Sequence, residues 1–316
     1  MSHHNNTVII ITGPTASGKT ALAIKLAQRF NTSIISADSR QCFKELNIGV
    51  AKPSERELSM VKHYFISSHS IHENVTAQTF ERYALDAAAE IFRNNNVAIM
   101  AGGTGLYIKA FCEGLDIIPE ADEKIRLQVI NNYKINGIAW LQKQIQIHDP
   151  DFWQIAERQN PQRLMRALEV KFTTGKSIVD FHKGEKKVRP FNIIKLGIEI
   201  SKEQLHKNIN QRTTEMFEQG LIQEVTSLKA FRNMNALQTV GYKELFEYFD
   251  TKLLLDTTIE KVKINTRHYA KRQITWFKKD PNIKWGNSYT LLTDINDYLA
   301  SGIKNENSIT PNISIL

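Results

Sequence analysis

Apolar residues fall along this chain in two rhythms. TVIIITG, residues 7–13, is a short β-branched run ending in glycine, the pattern of a strand buried on both faces of a parallel sheet. From Gly18 to Phe30 the spacing changes, and Leu22, Leu26 and Phe30 recur at helical intervals. TSIISAD, ending at Asp38, repeats the strand pattern. TAQTFERYALDAAAEIFRNNN sets Phe80, Ala84, Ala87, Ala88 and Ile91 on one helical face, and VAIMAGGTG is a third strand that runs into a second glycine-rich turn. Strands alternating with helices predict a parallel α/β sheet.

The pattern shifts after GLDIIPEAD, residues 114–122. From Glu123 to His182 only helical spacing appears, and within it Asn160 is placed to cap a helix whose first position is Pro161. The basic link HKGEKKVRP closes this stretch. FNIIKLGIEI, 191–200, returns to a strand, and helices are expected near 202–218, 220–231 and 256–278. The expected organisation is an α/β core over 1–115 and 190–300, an inserted all-helical domain over 116–189, and a loose tail over 301–316.

Composition changes this picture little. The chain has 316 residues, 41% hydrophobic and 23% charged, which is ordinary for a globular protein. No apolar run reaches membrane-spanning length, and the start lacks a basic segment with a cleavage site, so neither a span nor a signal peptide is expected. Two cysteines, Cys42 and Cys112, make no disulfide framework, and a reduced cytoplasmic protein is expected. His63, His69 and His72 have poor spacing for a metal and read as ordinary side chains. Charge adds more. The net charge is +8, but residues 1–110 carry +3 and residues 160–290 carry +10. The second half holds the positive field, as a polyanion-binding surface or a solvated basic face does.

GPTASGKT, residues 13–20, supplies the sharpest chemistry. Gly13, Pro14, Thr15, Ala16, Ser17, Gly18, Lys19 and Thr20 have the spacing of a phosphate-cradling loop, set between a strand and a helix. Such a loop wraps phosphate oxygens in backbone amides at a helix N-terminus, with Lys19 neutralising charge and Thr20 ligating Mg²⁺. The core is then a P-loop NTPase-like parallel sheet, and ATP is the common occupant of such loops. A triphosphatase also needs an acid at a strand end to help hold its metal. The third strand ends in glycines, whereas the second puts Asp38 beside the loop. Asp38 there is a metal ligand through water, a general base, or a cap for the following turn. In AGGTGLY, 101–107, the glycines allow close backbone approach and Thr104 offers a hydroxyl.

Six stretches taken together go further. GPTASGKT, SADSRQ followed by NIGVAKP, AGGTGLYIKA, NPQRLMRALEV, QTVGYKE and YAKRQITWF occur in this order across about residues 8–285. In this the chain resembles the tRNA dimethylallyltransferases of bacterial type, also called tRNA isopentenyltransferases. The resemblance implies transfer of a dimethylallyl group from dimethylallyl diphosphate to N6 of adenosine 37 of tRNA, beside the anticodon. The loop then holds a diphosphate that leaves. Lys19, Thr20 with Mg²⁺, and Asp38 form the catalytic set, with Asp38 orienting the amine and taking its proton. The target base leaves its stack to reach the carbon. By the same resemblance, the tRNA anticodon stem-loop is contacted by Asp38, Ser39, Arg40 and Gln41, by Thr104 and Arg126, and by Gln162, Arg163, Leu164, Met165 and Arg166. Gln238, Gly241 and Lys243, and Lys271, Arg272 and Gln273, complete the set. Trp276, Phe277 and Ile274 read as core. Cys42-Phe43 and Val50 depart from the family pattern and each loses a hydroxyl. A monomer is the simplest expectation. Two rivals use the loop and Asp38 differently: a small-molecule kinase, and an RNA-binding module that uses a nucleotide as a switch.

Overall fold

The computed structural model describes residues 6–300; the tail expected over 301–316 lies outside them. In chain order the elements begin β1 (Thr7–Thr12), α1 (Lys19–Arg29), β2 (Ile34–Ser36), α2 (Glu55–Met60), β3 (His63–Tyr64), α3 (Ala77–Ile91), β4 (Val97–Ala101) and α4 (Gly105–Glu113). Three helices follow, α5 (Glu123–His148), α6 (Pro150–Ile155) and α7 (Pro161–Thr174). The chain then runs through β5 (Asn192–Ile198), α8 (Lys202–Glu218), α9 (Leu221–Ser227), α10 (Tyr242–Asp250), α11 (Leu255–Phe277), β6 (Ile283–Gly286), α12 (Ser288–Thr293) and α13 (Ile295–Ala300). Among the described residues, 6–113 and 188–300 form one compact unit and 114–187 another.

The first unit is built on one six-stranded sheet in the order β3-β2-β4-β1-β5-β6, parallel throughout. β1 lies inside it, in register with β4 from Thr7↔Val97 and with β5 from Thr7↔Asn192. Every residue of β1 is buried. Val8 and Ile10 pack on one face with Phe80, Phe111 and Tyr242, and Ile9 and Ile11 on the other with Leu22, Leu26 and Leu291. That is why Val8–Ile11 read as an unbroken apolar run: both faces are covered, and polar residues stand only at the strand's two ends, Thr7 and Thr12. Each such side chain stabilises the fold by about 1.5–3 kcal/mol. The edge strands β3 and β6 were not expected from the sequence. β3 is two half-buried residues and β6 reads IKWG, so neither carries an apolar run.

Where the chain re-enters this unit, Arg189 is buried. Its Nε donates to the Phe111 carbonyl at 2.7 Å, and its Nη2 donates to the Ala110 carbonyl and to Glu81 Oε1, each at 2.8 Å.

The second unit is helical. α7 starts as its residues dictate: Asn160 Oδ1 accepts the Arg163 amide at 3.2 Å, Pro161 takes the first turn, and Gly175 ends the helix in the left-handed region. Val129, Leu141, Ile145, Phe152, Leu164 and Leu168 form its core. α5 is interrupted at Gly137, whose φ is 70°. Among the described residues no helix is long and apolar enough to cross a membrane.

Candidate active site

Four chain segments converge at the carboxyl ends of the central strands, where a parallel sheet places its ligands. The loop of residues 13–18 leaves β1 with Gly13 at φ 141°, Ala16 at 61° and Gly18 at 90°. Alternation of hand of this kind makes a nest of amides suited to an anion. α1 follows with no side-chain cap and no acid in its first turn, so its positive end is unmet. Ser17 Oγ is buried without a partner, one more donor at this point.

Two helices from the far end of the chain hold the loop in shape. On α8, Asn208 Nδ2 donates to the Ala16 carbonyl at 2.9 Å, and Arg212 Nη1 reaches Thr15 Oγ1 at 3.3 Å. On α11, Gln273 Oε1 accepts the Thr15 amide at 2.7 Å and Gln273 Nε2 donates to the Gly103 carbonyl at 2.9 Å. A Cβ at Gly103 would lie 2.1 Å from that nitrogen. The second glycine-rich turn is thus bare so that one buried amide side chain can bridge it to the phosphate loop.

The charges are uneven. Lys19 Nζ donates to the Pro14 carbonyl at 2.6 Å. Burial and the Arg212 guanidinium lower its pKa to about 7, against the pull of Asp38. Burial also lowers Arg212, opposed by Glu215, Asp38 and Glu57. Lys19 and Arg212 are thus both pushed down by burial and lie close enough for Arg212 to disfavour charge on Lys19, and an anion beside them would relieve both.

Asp38 follows β2. Its Oδ1 accepts the amides of Arg40 (2.8 Å) and Gln41 (3.3 Å), which leaves Oδ2 for a ligand. One oxygen thus caps the turn, as an acid at a strand end does, and the other accepts no bond from the described residues. The Thr104 amide donates to the Ala37 carbonyl at 3.1 Å, and Thr104 Oγ1 accepts the Ser39 amide at 3.0 Å, so the two turns lock together. Asp38, Arg40, Arg212, Met216, Lys243 and Tyr269 line a cavity of about 750 Å³. Burial and the Asp38 charge push the Tyr269 phenol up to about 12. Glu224 accepts the amides of Ile48 (2.7 Å) and Gly49 (3.1 Å) and the hydroxyl of Tyr242, fixing the 48–51 turn, whose Gly49, Val50 and Ala51 line the same cavity.

Of the residues singled out from the sequence, Thr15, Asp38, Ser39, Arg40, Gln238, Gly241, Lys243 and Arg272 share the cavity lining. Lys271 is exposed on α11. Four of the residues assigned to an RNA surface are bonded or packed within the protein. Gln273 is buried with both ends of its amide bonded to protein, so it shapes the loop from inside. Gln41 accepts from Ser36 Oγ at 3.3 Å and donates to the carbonyls of Val50 (3.3 Å) and Ala51 (2.9 Å), tying the turn on the cavity rim. Leu164 and Met165 are buried in the core of the helical unit. In that unit Gln162, Arg163 and Arg126 are exposed. Arg163 faces Glu157 at 3.1 Å, and Arg166 donates to the Pro119 carbonyl at 2.9 Å beside Glu169. Trp276, read as core, is 40% exposed, while Phe277 is buried. Arg212 and Tyr269 were missed. Arg212 lies in a polar helical run and carries no local signal, since only the packing of α8 against the loop gives it a role.

Among the described residues no group of three His, Cys, Asp or Glu is placed to hold a metal. His63 Nδ1 lies 2.8 Å from the Val61 carbonyl, His69 packs on Phe65, and His72 packs on Phe231.

The family model described as IPP transferase matches residues 41–280, starting just after Asp38. The chain belongs to the IPP transferase family. Among proteins of this family it is 46% identical over 299 residues to the tRNA dimethylallyltransferase of Christiangramia forsetii, covering 95% of this chain and 99% of that one. The full-length tRNA isopentenylpyrophosphate transferase of Bacillus halodurans superposes with a TM-score of 0.68 at 31% identity, over 94% of this chain and 96% of that one. A eukaryotic dimethylallyltransferase acting on tRNA gives 0.77 at 24% identity, over 94% of this chain and 80% of that one, a likeness of fold. The loop of residues 13–20 lies outside the matched family segment.

Proposed function

We propose that this IPP transferase moves the dimethylallyl group of dimethylallyl diphosphate onto N6 of adenosine 37 in tRNA, releasing diphosphate. The observation that carries the reading is the free Oδ2 of Asp38 in the wall of the same cavity as Thr15 and Arg212 of the phosphate corner. A base and a leaving-group cradle face one space.

The roles follow from chemistry. As the C1–O bond of the donor breaks, its electron pair passes to the diphosphate. Loop amides, Lys19 and Arg212 are already in place for that charge and need no reorganisation. N6 of adenine attacks C1, and its proton passes to Asp38 Oδ2. Thr104, bonded to the turn that carries Asp38, fixes where that oxygen stands.

The donors here also fit Mg²⁺. Thr20 stands half-buried in the first turn of α1, and Asp38 keeps one carboxylate oxygen uncommitted, hard oxygen donors of the kind this ion takes together with water and phosphate. Thr20 would hold it, and bound there it would draw off charge from the leaving diphosphate.

For the RNA, Arg40, Lys243, Lys271 and Arg272 in the first unit and Arg126, Gln162, Arg163 and Arg166 in the second are the side chains we assign to the anticodon stem-loop. Ser39 and Gln238 join them on the cavity wall. We place the protein in the cytoplasm, acting as a monomer, with Cys42 and Cys112 as buried reduced thiols.

The test is a transfer assay with unmodified tRNA, dimethylallyl diphosphate and Mg²⁺, followed by digestion and mass analysis. Dimethylallyladenosine at position 37, absent with Lys19→Ala, is the expected outcome. Bound tRNA without product would defeat this donor assignment, and neither binding nor product would favour a small-molecule kinase.

A further inference from the structure

Glu224 stands in the middle of α9 and does not itself line the cavity that holds Asp38. Its carboxylate nevertheless joins two segments that do. One is the 48–51 turn: Oε2 accepts the Ile48 amide at 2.7 Å and Oε1 accepts the Gly49 amide at 3.1 Å. The other is the stretch 238–241, since Oε1 also accepts the hydroxyl of Tyr242, the next residue. Tyr242 is fully buried, and burial together with the Glu224 charge pushes its phenol up, so it stays a donor. Its ring lies against the backbone of Gly49, where a Cβ would fall 2.5 Å from Cε2.

The turn is held at its other end as well. Ala51 has φ 49°, a left-handed conformation that a residue with a Cβ adopts only where its surroundings impose it. Gln41 Nε2 donates to the carbonyls of Val50 (3.3 Å) and Ala51 (2.9 Å), and Lys52 Nζ donates to the Phe43 carbonyl at 2.5 Å. The backbone amide of the same Gln41 donates to Asp38 Oδ1 at 3.3 Å. Hydrogen bonds therefore lead from Glu224 through the turn and Gln41 to the acid. The phosphate loop is fixed separately, by Asn208, Arg212 and Gln273.

We propose that Glu224 is a positioning residue for the transfer reaction: by pinning the 48–51 turn to Tyr242 it sets, through Gln41, where Asp38 Oδ2 stands beside the target amine. The inference rests on the transfer reading above and adds to it a residue that touches no substrate. Two amides and a hydroxyl all donate here, and a carboxylate receives all three with two acceptor oxygens and no competing donor. Glu224→Gln keeps the shape but sets an NH₂ group against one of the two amides. A general base moved by a fraction of an ångström loses rate, whereas a donor gripped by a separately fixed loop keeps its affinity.

The experiment is single-turnover transfer from dimethylallyl diphosphate to unmodified tRNA, at saturating concentrations of both, by wild type, Glu224→Gln, Asp38→Asn and the double variant. Glu224→Gln is expected to lower the rate constant about 10–100-fold and to leave the KM for dimethylallyl diphosphate within about twofold of wild type. In the Asp38→Asn background the same change costs about twofold or less, because the base it positions is already gone. If Glu224→Gln melts below the assay temperature, Tyr242→Phe, which removes one donor and keeps the ring against Gly49, is read through the same cycle, with an expected loss of about three- to tenfold. An unchanged rate, a loss of similar size in both backgrounds, or a donor KM that rises as far as the rate falls overturns the positioning role, while transfer by wild type leaves the transfer reading standing. Wild type that makes no product overturns both.

Discussion

Gln273 Oε1 accepts the backbone amide of Thr15 across 258 positions of sequence, so the phosphate loop is completed by the last long helix of the chain. Its Nε2 serves Gly103 at the same time. Gln273→Glu keeps an acceptor for Thr15 but sets a carboxylate against the Gly103 carbonyl. It is expected to cost about 1–3 kcal/mol of stability and to raise the KM for the diphosphate donor about tenfold. Protonation restores a donor, so the loss shrinks as pH falls toward 5. Denaturant unfolding and donor kinetics at two pH values check this. A pH-independent defect would remove the bridge from its role.

Lys19 gives a second expectation. The unfolded chain holds the lysine proton up to a pH near 10.5, whereas the fold releases it near 7. The native state therefore binds fewer protons in that window, and the contribution of this group to stability rises with pH from about 7 upward and is least below 7. Diphosphate binding reverses the shift by supplying a counter-charge. At pH 8 it should draw up to about one proton onto the protein, measured as buffer-dependent binding heat. Lys19→Met should abolish the uptake, and equal heats in all buffers for the native protein would contradict it.

Asp38→Asn retains the Oδ1 that caps Arg40 and Gln41 and loses only the basic oxygen. Turnover with saturating substrates is expected to fall about 10²–10⁴-fold, with RNA affinity within a few-fold of wild type. Asp38→Ala also releases the turn and should weaken RNA binding further. Normal turnover in the asparagine variant would exclude Asp38 as the proton acceptor.

Arg189 tests the re-entry point of the chain. Its guanidinium satisfies two carbonyls and faces Glu81 in a buried setting. Arg189→Met removes that charge from beside Glu81 and is expected to cost about 3–5 kcal/mol, read from the urea midpoint. A change below about 1 kcal/mol would mean that the pair stabilises no more than an exposed one does.

The parts of the fold legible in the sequence are those whose cause is local. β1 announces itself because both of its faces are covered, and α7 because Asn160 and Pro161 stand together at its start. Asp38 is legible because a strand end beside a glycine loop is a position with meaning in a parallel sheet. Gln273, Arg212 and Trp276 are not. Gln273 sits in a polar triplet and becomes buried only through contacts with Thr15 and Gly103, and Arg212 matters only because α8 crosses the loop. Trp276 stands among apolar neighbours in ITWF, which suggests core, yet the rotation of α11 that buries Gln273 and Phe277 turns it outward. Edge strands β3 and β6 escape for a related reason, since a strand paired on one side only needs no apolar run.

The sheet order bears on how the protein is made. β1 is synthesised before both of its partners, Val97–Ala101 on one side and Asn192–Gly197 on the other. The first strand waits, half-paired at best, while the whole helical unit is synthesised between its two neighbours. The loop it carries waits longer still, since Asn208, Arg212 and Gln273 emerge later. Nascent chains of this protein therefore expose an unfinished parallel edge until β5 has been made, and long-range pairing of this kind forms slowly. A chain stalled before α11 carries the whole 13–20 motif without the Gln273 bridge that joins its loop to Gly103, so the loop takes its final shape only after α11 has been made.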